Sequence, residues 1–417
     1  MKVALINPKN KSQRVNGFLK RITSAYRVTF PVLASYLPED VDLTVYEENV
    51  EKIKFDENFD LVGVSVQTNA FNRAREISEQ FRNRNIPVIW GGIHPTALPE
   101  ESKKHADVIV IGPGEIVLPK LISDYKNGEL KREYTGIPVE GKRLLPDRSV
   151  LKGKSLISYE TVETSRSCPY SCEYCSVHLV HGKRFQQFSI DSVIEDIEST
   201  RGRSIFFVDD NLIGNPRYAK ELFRRMIGLN KRWVSQAPVS IAEDPELLRL
   251  AAESGCFGLY LGLESLSQES LAEAHKNGNN IERYPDLIKK IHDFGLVIET
   301  GFIFGFDNDD SSVFDRTLEF VDKNQIDSPD FHILTPYPGT KLFRRIESEG
   351  RLMHRDWSKY NRGNVVFQPK RMSAEELQDG YDMADRESLS LGRIVNRTLS
   401  SNHPFYTFVV NMGYKIG

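Results

Sequence analysis

Cysteine is scarce in this chain, with four residues in 417. That is too few to staple a protein of this size, so a disulfide framework is excluded by count and by length. Long apolar runs are missing too. No stretch reaches the roughly 18 apolar residues of a membrane span. The opening Met1-Lys-Val-Ala-Leu-Ile-Asn-Pro8 is too short and too soon interrupted to read as a signal peptide. Charge of one sign is not in excess either. Net charge is −3, with 55 Lys and Arg against 58 Asp and Glu spread along the chain. No concentrated basic face is available for nucleic acid. A cytoplasmic globular protein is expected, and 40% hydrophobic with 27% charged residues agrees. Its 417 residues exceed one ordinary domain and predict two or three.

What cysteine there is lies almost entirely in one place. Ser165-Arg-Ser-Cys168-Pro-Tyr-Ser-Cys172-Glu-Tyr-Cys175 holds three of the four in eight residues, spaced C-x3-C-x2-C. Three thiolates on one short loop suit three irons of a cubane cluster and leave the fourth iron open. An open iron is able to bind a small molecule and pass it an electron. The alternative is structural zinc, with His178 or His181 completing a Cys3His set. Zinc ligands usually come as two close pairs on separate elements, whereas here a single run carries them. Cys256, alone in Gly255-Cys-Phe-Gly258, reads as a buried structural thiol.

With Tyr174 just before the third cysteine, this run resembles the signature of the radical S-adenosylmethionine (radical SAM) enzymes. The resemblance implies a [4Fe–4S] cluster on Cys168, Cys172 and Cys175, with Tyr174 beside it. It also implies SAM chelated to the open iron, whose reductive cleavage yields a 5′-deoxyadenosyl radical. A ferredoxin or flavodoxin would supply the electron, and low oxygen is expected.

The rest of the chain supplies the context such a motif needs. Across 1–125, strands at Lys2–Ile6, Val41–Tyr46, Leu61–Val66, Pro87–Trp90 and Val108–Ile111 alternate with helices at Val28–Tyr36, Ala70–Arg84 and Glu115–Tyr125. That order predicts a doubly wound, Rossmann-like α/β sheet with ligands at the carboxyl ends of its strands. The polar, turn-rich stretch 126–154 reads as a connector. From 155 to 345 the pattern becomes six repeats of strand then helix. The strands are Tyr159–Thr164, Ser204–Val208, Trp233–Gln236, Cys256–Leu261, Val297–Phe304 and Asp330–Leu334. Six such units predict a partial (β/α)6 barrel, with the cysteine loop after its first strand at the catalytic end. That placement rules against zinc. Residues 346–417 read as a short helical C-terminal extension, with an amphipathic helix at Ala374–Ser390, expected to close over the barrel mouth.

The strand ends carry the remaining candidates. Ser65-Val-Gln67-Thr68, Gly91-Gly92-Ile-His94-Pro-Thr96 and Gly112-Pro-Gly114-Glu115 follow front strands. Together they resemble the cobalamin-binding domain of B12-dependent radical SAM enzymes. Pro113 departs from the usual G-E-G-E loop, and the mutase-type D-x-H-x-x-G is missing. The resemblance therefore implies base-off cobalamin with no histidine on cobalt. The polar stretch Lys9–Arg27 is placed to reach the lower face of the corrin. In the barrel, Asp209-Asp-Asn211, Gly262-Leu-Glu264-Ser265 and Gly301 to Gly305 follow strands two, four and five. Glu264 is implied as the ribose partner of SAM, with Asp209, Gln236 and Gly305 beside the same cofactor. Thr335-Pro-Tyr337-Pro-Gly-Thr340 resembles the family's P-Y-P-G-T loop, and Tyr337 is the candidate catalytic residue.

The implied reaction is methyl transfer from methylcobalamin to an unactivated sp3 carbon from which the radical has taken hydrogen. Cyclisation or oxidation with the same cofactors is the alternative. A front domain serving only as scaffold, and a non-catalytic metal protein, are further alternatives that bound corrinoid and SAM cleavage would separate. A polypeptide substrate is expected over a hopanoid or isoprenoid lipid. Compact family members include the enzyme that methylates a glutamine of methyl-coenzyme M reductase in methanogens, a post-translational modification. The polar mouth residues Asp209, Asp210, Asn211, Gln236 and Tyr337 would find no partners on hydrocarbon.

Overall fold

The computed structural model describes residues 1–10, 28–139, 141–154, 160–276 and 278–416. The front sheet contains β1 (Lys2–Asn7), β2 (Asp42–Glu47), β3 (Leu61–Ser65), β4 (Val88–Gly91), β5 (Val108–Ile111) and β6 (Glu133–Thr135). All are parallel, in the order β2-β1-β3-β4-β5-β6. Runs such as Val108-Ile-Val-Ile111 are largely buried because helices cover both faces of a parallel sheet. The order reverses between β1 and β3, where a doubly wound sheet opens a crevice at its strand ends. Helix Thr29–Ser35, the helix Phe71–Arg82 and the helix Val117–Lys126 match the expected positions within two residues at each end.

The stretch 126–154 is more than a connector. Its residues Glu133–Thr135 pair with β5, Tyr134 opposite Val110, and extend the front sheet by one strand. Three residues with polar neighbours are too few for periodicity to reveal a strand. Residues 11–27, which hold most of the polar stretch after β1, lie outside the described residues, as does Tyr159 at the start of the first barrel strand.

The second sheet contains β7 (Glu160–Val162), β10 (Ser204–Phe207), β11 (Arg232–Ala237), β12 (Cys256–Glu264), β13 (Val297–Phe304) and β14 (Ser328–Ile333). A small antiparallel pair, β8 (Ser165–Arg166) and β9 (Gln186–Gln187), brackets the cysteine loop. The six long-range strands are parallel in the order β14-β13-β12-β11-β10-β7. Among the described residues β7 and β14 do not pair, so the barrel is open. Ser189, Asn215 and Asp244 each cap the following helix through their side chains, which is why those helices begin where they do. Along β12, Leu259, Leu261 and Leu263 face the helices, while Tyr260, Gly262 and Glu264 face the lumen.

The C-terminal extension divides its work. Trp357, Tyr360 and Val366 pack into the core of the front domain, joined by Phe343 of the helix Lys341–Ser348 that leads into the extension. Leu377, Tyr381 and Ala384 of helix Ala374–Ser388 belong to the barrel core. Two further helices, Leu391–Ser400 and Pro404–Ile416, dock at the opposite end of the barrel from the cysteine loop. There His403 bonds the carbonyl of Gly295 at 2.9 Å, and Asn411 donates to the carbonyl of Asp327 at 2.8 Å. The mouth is thus approached by the segment around Arg362, and the last helices cover the floor.

Candidate functional site

Two cavities of nearly equal size lie at strand ends, one in each sheet. The barrel cavity, about 300 Å3, is lined by Cys168, Cys172 and Cys175 together with Tyr174, Asp210, Asn211, Gln236, Glu264, Lys276 and Tyr337. The loop carrying the thiols is pinned from several sides. Ser167 sits at φ +69° and donates to the carbonyl of Gly182 at 2.7 Å. His178 Nε2 bonds the carbonyl of Cys168 at 2.9 Å. Arg345 grips Glu173 through two bonds of 2.9 Å. Asn211 Nδ2 lies 3.6 Å from Cys168 Sγ.

This geometry counts against zinc. His178 is engaged with backbone, and His181 opens onto the other cavity. Among the described residues no three His, Cys, Asp or Glu side chains converge on one ion. Thiolates that each hold a different iron of a cubane need no such convergence.

At the end of β12 the register slips between Gly262 and Glu264, and Glu264 takes φ +65°. That bulge turns its carboxylate into the cavity, where Lys276 Nζ meets it at 2.7 Å. A Cβ on Gly262 would stand 2.5 Å from that carboxylate and 3.1 Å from the ammonium, so a larger residue would push the pair from this position. Burial alone would lower Lys276, but Glu264 and Cys172 outweigh it and hold the ammonium above its usual range. Lys276 was not foreseen. It lies in a turn outside any recognisable motif, and only the fold brings it back to Glu264.

Asp209 is not in the cavity. It is buried in the wall, accepting from the Thr164 hydroxyl at 2.7 Å and from Ser165 at 2.5 Å. It fixes the chain entering the cysteine loop. Burial first, relieved by those bonds, leaves its carboxyl raised to about 6. Its neighbour Asp210 is the one that lines the cavity; the residue is open to that space, and the partial loss of water along the cavity wall, then Asp209, raise its carboxyl to about 7. Gly305 is also elsewhere. At φ +102°, its missing Cβ makes room for Leu377 of the C-terminal extension, 2.8 Å from where it would stand. The mouth adds residues the sequence did not single out. Tyr260 donates to Asp330 at 3.2 Å and contacts His332 at 3.2 Å, and Arg362 Nη1 lies 3.4 Å from His332.

The front cavity, about 290 Å3, opens at the ends of β3, β4 and β5, between their loops and the barrel. Of the predicted residues, Ser65, Gln67, Gly91, Gly92, Gly112, Gly114 and Glu115 line it. Its remaining wall is mostly apolar, with Leu5, Phe30 and Val180 among it. A Cβ on Gly92, at φ +103°, would stand 3.0 Å from the carbonyl of Val66, and one on Gly112 would stand 3.1 Å from that of Gly136. At both positions the missing Cβ lets the loop backbone pack against neighbouring backbone at the rim of the cavity, in a left-handed conformation that favours glycine. Pro113, the departure from the expected loop, lines the cavity too.

Thr68 and His94 do not. Thr68 is buried at the start of a 3-10 turn. His94 is fully buried on the far side, its ring 4.7 Å from Phe71 and its Nε2 3.6 Å from Glu101. A histidine packed there cannot reach a ligand in the cavity. What reaches the loop's neighbour is its peptide N–H, which donates to the carbonyl of Val66 at 3.1 Å.

Buried ion pairs join the front domain to the barrel. Arg166 pairs with Glu115 of the front domain and with Glu163 of the barrel, and Arg143 binds Glu163 and Asp196. Burial would raise Glu163, but Arg166 and Arg143 hold its carboxyl below the usual range.

Known proteins divide the chain in the same way. A B12 binding domain matches residues 29–122, the radical SAM superfamily 162–321, and a domain of unknown function (DUF4070) 340–403. Bacteriochlorophyllide d C-12(1)-methyltransferase of Chlorobaculum tepidum is 30% identical over 351 residues, covering 81% of this chain and 76% of that protein. The C-8(2)-methyltransferase of the same organism is 28% identical over 416 residues, covering 94% and 91%. The structure of TsrM from Kitasatospora setae, with cobalamin and a [4Fe–4S] cluster bound, has the same fold. Its TM-score is 0.70 at 17% identity, over 92% of this chain and 88% of that one.

Proposed function

This chain belongs to the cobalamin-dependent radical SAM methyltransferases, and on that premise we propose that it methylates an unactivated sp3 carbon of a polar substrate. When bound, the cluster, SAM and methylcobalamin supply a hydrogen-abstracting radical and a transferable methyl group. The chain's own residues do the rest. Cys168, Cys172 and Cys175 hold the cluster on a loop that cannot drift. Glu264, fixed by Lys276, presents a carboxylate to the ribose hydroxyls of SAM. Gln236 and Tyr174 close the wall beside it. The glycines at 91, 92, 112 and 114 admit the corrinoid, with Ser65 and Gln67 as its hydrogen-bonding neighbours.

One observation carries the substrate reading: Tyr260, His332 and Arg362 line the barrel cavity as one hydrogen-bonded polar group, with Asp330 bonded to Tyr260 and His332. Hydrocarbon laid over this network strips water from its charged members, at about 1–3 kcal/mol for each group whose remaining hydrogen-bonding capacity then goes unmet. A polypeptide side chain with neighbouring amides satisfies them, and a glutamine of methyl-coenzyme M reductase is the favoured target. A tetrapyrrole carboxylate is the second reading, favoured by the names of the two relatives above and by the Arg362 guanidinium.

The reconstituted enzyme, given SAM labelled in its methyl group, is offered a reductase peptide containing the glutamine, a chlorin carboxylate and a lipid extract separately. Label in the peptide is the expected result. Label in the chlorin alone selects the second reading, and label in the lipid alone overturns both.

A further inference from the structure

Arg166 is about 95% buried, at 5% relative exposure, and three of its contacts are fixed. Nε and Nη2 donate to the two oxygens of Glu163 at 3.0 Å each, Nη2 also meets Glu115, and the guanidinium lies 5.5 Å from the ring centre of Phe188. Two carboxylates and a phenyl face leave the plane of the guanidinium no freedom to turn. Nη1 is the exception. It is buried and has no hydrogen-bond partner among the described residues. Gln186, opposite Arg166 across the β8–β9 hairpin, has a bare Oε1 as well, so the two do not satisfy each other.

Arg166 lines the front cavity, and so does His181, whose buried Nδ1 is also without a partner among the described residues. A buried charged N–H left bare in a folded protein calls for an explanation. Here both bare atoms belong to the barrel side of a cavity whose opposite side is the B12 binding domain. A corrinoid carries a ring of peripheral amides, each with an oxygen able to accept such a bond.

We propose that Arg166 is a corrinoid-binding residue: its free Nη1 donates to a peripheral amide oxygen, while Nε and Nη2 hold Glu163 and Glu115. Arg166 is two residues before Cys168, so one side chain joins the corrinoid to the start of the cysteine loop. The inference rests on the family's cofactor and is independent of the substrate reading.

The test is a binding measurement. Cobalamin and a panel of its monocarboxylates, each with one peripheral amide converted to an acid, are titrated into the full-length protein and followed by visible spectra. Arg166→Gln and Arg166→Lys are compared with the parent chain, with far-ultraviolet dichroism and iron content as checks of fold and loop. Parent cobalamin is expected to bind the Gln variant about tenfold more weakly, because a charge-assisted bond is lost. One monocarboxylate is expected to match or exceed cobalamin on the parent chain and to lose that advantage on the Gln variant. The ligand-side comparison holds even if the variant is less stable. An unchanged ranking of the panel between parent and variant overturns the proposal, as does failure of the parent chain to bind any of the corrinoids.

Discussion

The two cavities are alike in volume and opposite in construction. The front one is lined mostly by glycines and apolar side chains, with its charges gathered at Glu115, Glu163 and Arg166 on one wall. The barrel one is built from what is present: three thiols, the Glu264–Lys276 pair and the Asp210 carboxyl. The first selects by shape and therefore depends on backbone conformation. The second selects by charge and sulfur and therefore depends on side-chain chemistry. Substitutions should fail differently in each.

The largest expected effect follows from removing the sulfur. A Cys168→Ala, Cys172→Ala, Cys175→Ala protein is expected to lose all SAM cleavage, read as 5′-deoxyadenosine, while still binding corrinoid in the front cavity. Loss of corrinoid at the same time would show that the two sites are not separable. Next is the ion pair. Lys276→Met leaves a buried carboxylate unpaired and is expected to cost about 3 kcal/mol in urea unfolding, with SAM affinity falling. Adding Glu264→Gln should recover most of the stability and none of the SAM affinity. A cost below about 1 kcal/mol would mean that the pair is screened like a surface one. Smallest is the backbone effect. Gly92→Ala forces a side chain into φ +103° against Val66 and is expected to cost about 1–2 kcal/mol. Corrinoid affinity should drop with it, and the iron content should stay unchanged.

The comparison also explains what the sequence disclosed. The cysteine loop and the strand–helix alternation are local patterns, and the structure has both where they were expected. The errors have another character. Asp209 and Asp210 are adjacent, and a strand end does not announce which of two neighbours turns inward. His94 belongs to a loop that does shape the front cavity, yet its side chain follows the aromatic packing of Phe71 and Trp357. Gly305 looked like ligand clearance and is clearance for Leu377, a contact 72 residues away in sequence that no local reading supplies. Lys276, Arg166 and His332 acquire meaning only through partners that the fold delivers.

The C-terminal segment has a consequence for how the protein is made. Phe343, Trp357, Tyr360 and Val366 are part of the hydrophobic core of the front domain, although the last strand of that domain ends at Thr135. A ribosome delivers the chain from its N-terminus. The front sheet therefore leaves the exit tunnel with its core incomplete and waits through the synthesis of the entire barrel for the aromatic residues that finish it. During that interval Phe71 and Trp90, which the finished core buries, lack part of their cover. Truncation before residue 343 should then yield a front domain that associates with itself or with chaperones, however complete its six strands.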